Sequence, residues 1–352
     1  MLRKLLSLVC MVGLCLAFAA CGSEEQKPAP AASGEAAKPA VKAVTINFSH
    51  TMAPNSLSDL AAKKFKESLE AKSNGSLKVN VVSNCGLSGG DLVKAIEMLG
   101  TGDIDMHASA PTNAATFDAR FYIFWMPFLF PDEASLAKVT GNAEVAAAVN
   151  TWFEPLGIRL LGIHNAGARQ ISNSVKPIRT PEDLNAMNIR VPGAQLFVDC
   201  FRDSFKANPT AMDFSEVYTA LQQKTIDGQE NPISVFTSSK FEEVQSHLSL
   251  WDYVRDATGW YLSAKTYEKL SAEQRAMVEA AAAEAIAWAD GFVLESEKEQ
   301  LKDLETKGVT ITVLTPEEKQ AFADACAPLY VQYESIIGKD VIDLFKRVAS
   351  GQ

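Results

Sequence analysis

Arg190 stands in a short apolar run, Ile189-Arg190-Val191, that ends at a Pro192-Gly193 turn. Strand alternation puts its side chain on the face opposite Ile189 and Val191. A guanidinium there is planar, forked and permanently charged. That geometry suits a carboxylate, which it can hold through two parallel hydrogen bonds. A second arginine, Arg169, follows a strand-like run over 158–164 and a glycine, Gly167. It either holds a second anionic group, braces the first, or makes an ordinary ion pair between strands. Four histidines, His50, His107, His164 and His247, lie far apart. The first three fall at strand ends, so an alternative reading is a metal-binding protein or enzyme built on them. The sequence has no GxSxG elbow, no P-loop and no HExxH pair, and it points to no enzyme and no cofactor.

The chain that must position these residues has 352 residues, 47% of them hydrophobic, with a formal net charge of -10. That length allows two lobes. An acidic balance argues against nucleic acid, which requires a basic stripe. It does not exclude an anionic ligand, because a pocket can be locally positive inside an acidic body. Residues 1–21 carry Arg3 and Lys4, then an apolar run, then Ala19-Ala20 before Cys21. This reads as an export signal that is too short to span a bilayer. Small residues just before Cys21 fit a bacterial lipoprotein signal better than plain secretion, with Cys21 carrying the lipid. Residues 22–42 are rich in Pro, Ala, Ser and Glu and read as a flexible tether. Cys85, Cys200 and Cys326 remain behind the signal, without a CxxC pair; one disulfide between two of them is left open.

Behind the tether, strand and helix patterns alternate without hairpin dipeptides, which predicts an α/β sheet with parallel neighbours. Strands are expected over 44–50, 77–82 and from 104, with helices over 58–71 and 91–99. Ligands of such sheets sit beyond the carboxyl ends of the strands, which brings the loops 50–55, 84–91 and 109–113 to one rim. Asn55 and Ser109 are candidate contacts on that ground alone. Residues 121–130, FYIFWMPFLF, read as a core strand or packed turn, with Trp125 at the cleft as the lesser reading. Helices are expected over 134–150 and from Asp213, whose side chain can cap. A strand is expected over 247–254. Residues 272–305 form one long helix or break near Asp290-Gly291, and a single helix is expected over 329–348.

Three spaced blocks, IRVPG, ANPTAMDFSEVYTALQ and DGQENP, together with FSHTMAPNS, FKESLEAKSNGSLKV and LVKAIEMLGTGDIDM, resemble the solute-binding proteins of tripartite ATP-independent periplasmic (TRAP) transporters. The resemblance spans about 44–349. It implies a two-lobed periplasmic-binding-protein-like fold, each lobe a sheet flanked by helices, with a long helix bracing both. The expected division is 43–166 with 254–292 for one lobe, and 167–253 with 293–352 for the other. It further implies a periplasmic receptor that takes a small organic acid and hands it to a membrane permease. On this resemblance Arg190 binds the ligand carboxylate, Asn231 and Phe214 line the same pocket, and Arg169 is the second ligand arginine. The chain departs from the family at Trp251-Asp252-Tyr253, so Asp252 and Tyr253 are expected near the cleft and leave the identity of the acid open.

Overall fold

The computed structural model describes residues 43–352; the signal-like segment, Cys21 and the tether lie outside the described residues. Among the described residues nine strands run in chain order: β1 Val44–His50, β2 Leu77–Val82, β3 Met106–Ser109, β4 Ile158–Asn173, β5 Asn188–Val191, β6 Asn208–Ala211, β7 Gly228–Pro232, β8 His247–Ser263 and β9 Thr310–Val313. They form one mixed sheet in the order β2-β1-β3-β8-β4-β7-β5-β6, with β9 added beside β8. The β2-β1-β3 group is parallel, as the alternation of strand and helix patterns requires. The β7-β5-β6 group is parallel as well. Two long antiparallel strands, β4 and β8, join the groups. Both run well past the lengths read from the sequence, because each is the shared middle of the sheet and is buried on both faces.

Three apolar cores result. One spans the joined face, through Phe121, Phe153, Phe197, Trp251, Tyr253 and Tyr261. Beyond the other face, Phe48, Phe65 and Trp260 pack on Ala281, Ala285 and Ala289 of the helix Ala272–Thr306. A third core, around Val217, Phe236 and Phe241, takes Leu304 from the end of the same helix. Trp260 and Tyr261 fall in different cores, as alternation along a strand demands. The helix Ala272–Thr306 is continuous through Asp290-Gly291. At 1.5 Å per residue it is about 52 Å long, enough to join the cores under both halves of the sheet. Among the described residues no helix is long and apolar enough to cross a membrane.

Four local expectations are corrected. The helix expected over 134–150 is two, Glu133–Thr140 and Ala143–Phe153, because Asn142 caps the second through Val145 N–H. The final helix also divides, into Ala327–Ile337 and Lys339–Ser350, at Gly338 with φ of 100°. Of the two readings of 121–130 the strand is overturned and the packed turn holds: Ala119–Trp125 form a buried 3-10 helix, started by Asp118, which accepts from Arg120 N–H. Asp213 precedes a 3-10 turn, and its side chain makes no capping hydrogen bond. The last two helices pack on the 119–140 region, through Tyr122 against Tyr333 and Phe124 against Phe345.

Candidate ligand-binding site

The carboxyl ends of both parallel groups open on two small cavities. The larger, about 100 Å³, is lined by the turns after β2, β3, β5 and β6, with Asp91, Asn113, Gly193 and Asp213 among them. The smaller, about 40 Å³, is lined by Thr51, Ala110, Asn231 and Thr258 and their neighbours. Trp125 borders the first cavity and Asp256 the second, and the Trp125 indole N–H donates to Asp256 at 2.8 Å. Arg169 backs that contact, paired with Asp256 and with its guanidinium carbon 5.5 Å from the Trp125 ring centre.

Arg190 lies on β5 between Thr210 and Gln229 of its neighbours and is 2% exposed. Its Nε and one terminal nitrogen donate to the Met212 carbonyl, at 3.0 and 2.7 Å. The Phe214 ring centre is 5.8 Å from its guanidinium carbon. Among the described residues it has no carboxylate partner at ion-pair distance, unlike Arg169. Burial lowers its pKa to about 10, with the nearby Arg169 adding to the drop and Glu230 opposing it. The group therefore stays charged at neutral pH while offset by no single counter-ion.

Arg169 is placed differently. It is buried on β4, bound to the Glu230 carboxylate, and it also reaches Asp256 at 2.5 Å and the Asn231 side-chain oxygen at 3.2 Å. Burial alone would push its pKa down, but Glu230 and Asp256 overcome this and hold it well above the ordinary value. Tyr253 O–H donates to Glu230 at 2.5 Å from inside the core. Asn231 is fixed at both ends, since its N–H₂ donates to Gln229 at 2.6 Å. Arg190, Phe214, Arg169 and Asn231 are thus brought together, and Tyr253 reaches them through Glu230; of these, Asn231 lines the smaller cavity and the others lie behind the linings.

Three expected contacts fall elsewhere. Asn55 is exposed, in a left-handed turn with φ of 65°, and its N–H donates to Asp59 at 2.7 Å. Ser109 is fully buried, and its carbonyl accepts from Tyr261 O–H at 3.1 Å. Neither borders the two cavities. Asp252 pairs with Lys319 and accepts from Gln170 at 2.6 Å. Burial would raise its pKa, but Lys319 and Gln170 hold it low. Its role is to tie β8 to the helix Pro316–Ala325. The departure at 251–253 therefore concerns packing: Trp251 stacks tilted on Tyr253 at 4.3 Å, away from the cavities.

Sequence reasoning missed Asp256 and Glu230 and ranked Trp125 too low. Glu230 sits inside the quoted DGQENP block, where alternation between Gln229 and Asn231 could have flagged it. Asp256 carries no local signal, because it lies beyond the 247–254 run that reads as a strand. His50 and His107 lie on neighbouring strands, but the strand-end histidines form no metal triad among the described residues. His50 pairs with Asp59 at 3.2 Å, and His164 accepts from Trp260 at 2.9 Å. Burial lowers His107 and His164 to about 3. Among the described residues no group of three His, Cys, Asp or Glu side chains is placed to hold a metal. Cys200 and Cys326 are buried thiols with sulfurs 3.9 Å apart, and Cys85 is a third buried thiol.

Residues 48–336 match the family described as bacterial extracellular solute-binding protein, family 7. The 2,3-diketo-L-gulonate-binding periplasmic protein of Escherichia coli is 32% identical over 309 residues, 87% of this chain and 92% of its own length. The C4-dicarboxylate-binding periplasmic protein of Shewanella loihica is 31% identical over 305 residues, 85% of this chain and 88% of its own. A sugar acid binding protein of Advenella mimigardefordensis, solved with galactonate, is similar with a TM-score of 0.84 and 28% identity, over 88% of this chain and 99% of that one. A TRAP periplasmic solute binding protein of Sulfurospirillum deleyianum, solved with succinate, has a TM-score of 0.80 and 28% identity, over 86% and 98%.

Proposed function

This chain belongs to the family 7 bacterial extracellular solute-binding proteins, the receptors of TRAP transporters, and from that premise we propose that it binds an organic acid between the two halves of its sheet and delivers it to a membrane permease. One observation carries the proposal. Arg190 is buried and positively charged, and has no carboxylate partner among the described residues. A buried charge is retained when something pairs with it, and the ligand carboxylate is that partner. Arg190 supplies the bidentate grip and Phe214 the apolar wall. Asn231 adds a polar contact, held in orientation by Arg169 and Gln229. Arg169 acts as a brace, since Glu230 and Asp256 already occupy its guanidinium.

Family membership places the protein in the periplasm. We further propose anchoring through a lipid on Cys21, which rests on the sequence of residues 1–21 alone. The residues 43–166 with 254–292, and 167–253 with 293–352, act as the two lobes, closing about β4 and β8. Closure expels water and strengthens the ion pair to Arg190. The test is a thermal-shift screen of organic acids. At least one carboxylate raises the melting temperature of the wild-type chain and not of Arg190→Ala. A response to zinc and to no acid would contradict the proposal and favour the histidine reading.

A further inference from the structure

Two buried thiols lie close together behind the site. Cys200 opens the π-helical turn Cys200–Ser204 that follows the short helix Gln195–Asp199, and Cys326 sits at the junction of the helices Pro316–Ala325 and Ala327–Ile337. They are 126 residues apart in the chain, neither is exposed, and their sulfurs are 3.9 Å apart. Disulfide sulfurs stand about 2 Å apart, so each of these has about 1 Å to travel. From this juxtaposition we infer that Cys200 and Cys326 are joined by a disulfide in the exported protein, that the bond stabilises the fold, and that Cys85 stays a thiol. Cys85 lies apart from the pair, in the turn after β2, where its N–H donates to the His50 carbonyl at 2.9 Å.

The surroundings hold the two segments in place for such a link. Asp199, next to Cys200, accepts from the Tyr333 hydroxyl at 2.9 Å and from the Gln332 amide at 3.1 Å, both on the helix Ala327–Ile337. On the other side of Cys326 in the chain, Phe322 packs edge-on against Phe205 and Trp251. Phe197, one turn before Cys200, lies 4.6 Å from the Trp125 ring and 5.5 Å from the Arg169 guanidinium carbon. A covalent tie at Cys200 thus fixes the element behind Arg169 to the helices that end the chain. The oxidant is a protein disulfide of the thiol-oxidising class, which the bacterial periplasm maintains. One cysteine thiolate attacks that disulfide and expels one of its sulfurs; the second thiolate then attacks the first cysteine's sulfur and expels the other. The two cysteines lose two electrons, the oxidant's disulfide gains them, and the two protons end on its thiols. Burial raises the Cys200 thiol well above its ordinary pKa, so it exchanges slowly once the fold has closed, and the bond forms while the chain folds.

Peptide mapping of the full-length chain tests this. The protein is exported in a bacterial host, extracted in mild detergent and unfolded in an alkylating agent, which traps free thiols before they exchange. Mass spectrometry without reductant is expected to find the Cys200 peptide joined to the Cys326 peptide, and Cys85 alkylated. Alkylation of both Cys200 and Cys326, or a bond that includes Cys85, overturns the inference. Thermal unfolding gives a second readout. A phosphine reductant is expected to lower the melting temperature of the wild type and of Cys85→Ala by about 4 °C or more, and to leave the double variant Cys200→Ala, Cys326→Ala unmoved. A wild type whose melting ignores the reductant overturns the stabilising bond.

Discussion

Arg190 and Arg169 are both buried arginines, yet the same substitution should do different things to them. Arg169→Ala leaves Glu230 and Asp256 buried without their shared counter-charge. Breaking a buried pair this way costs about 3–5 kcal/mol, which in a chain of this size lowers the melting temperature by about 10 °C. Arg190→Ala removes a buried charge bonded only to the Met212 carbonyl, so stability should change by less than about 1 kcal/mol. Thermal unfolding of the two variants side by side checks both outcomes; equal destabilisation would contradict the separate roles. Binding should respond in the opposite order, with Arg190→Ala losing about 3 kcal/mol or more, at least about a hundredfold in Kd. Histidines supply the pH dependence. His107 and His164 titrate near 3 in the fold and near 6.5 when unfolded, so the unfolded chain takes protons first as pH falls. Stability is therefore full above about pH 6.5 and declines toward pH 3, by about 2 kcal/mol per histidine at pH 5. His107→Asn should make the fall of melting temperature between pH 7 and 5 measurably shallower. At this scale the sequence showed Arg190 clearly, because a charge in an apolar run stands out. It did not show whether Arg169 was free, since its partners Glu230 and Asp256 lie 61 and 87 residues away in the chain.

The elements that position the site are the long strands and the long helix. Between Arg169 and Ile171 of β4 the register shifts against β8. There the Gln170 side chain accepts from the N–H groups of Trp251 and Asp252, at 2.9 and 3.1 Å, and donates to Asp252. Asp252 itself turns with φ of 51°. One side chain thus satisfies the irregular backbone beside the Arg169 brace. Gln170→Leu would leave those buried N–H groups unpaired, at about 1–3 kcal/mol each. The expected result is a lower denaturant midpoint in urea unfolding together with weaker acid binding; an unchanged midpoint would show that the staple is dispensable. Parallel neighbours were legible from the alternation of patterns, and the helix Ala272–Thr306 from its run of Ala, Glu and Lys. The ends of β4 and β8 were not. Strands buried on both faces lose the alternation that marks a boundary, and residues such as Asp256 then read as loop. Breaks at Asn142 and Gly338 were hidden too, because capping residues within apolar periodicity look like tolerated interruptions.

Across the whole molecule, an acidic body surrounds a site whose single unpaired buried cation is Arg190 among the described residues. Two parallel sheet groups open their carboxyl ends on the two cavities, and β4 and β8 join the groups at the middle. Any ligand that binds the closed arrangement and not the unfolded chain stabilises it by mass action, by about 2.7 kcal/mol at a hundredfold excess over Kd. The family resemblance read from spaced blocks covered the whole body, whereas the ligand was not legible, because the residues lining the cavities come together from distant segments of the chain. The most direct test is calorimetric titration of the wild-type chain and Arg190→Ala with the acid that stabilises the wild type most in a thermal screen. The account predicts measurable binding in the wild type, loss of at least about a hundredfold in the variant, and an unchanged melting temperature for the unliganded variant. Equal affinity in the two proteins would contradict it.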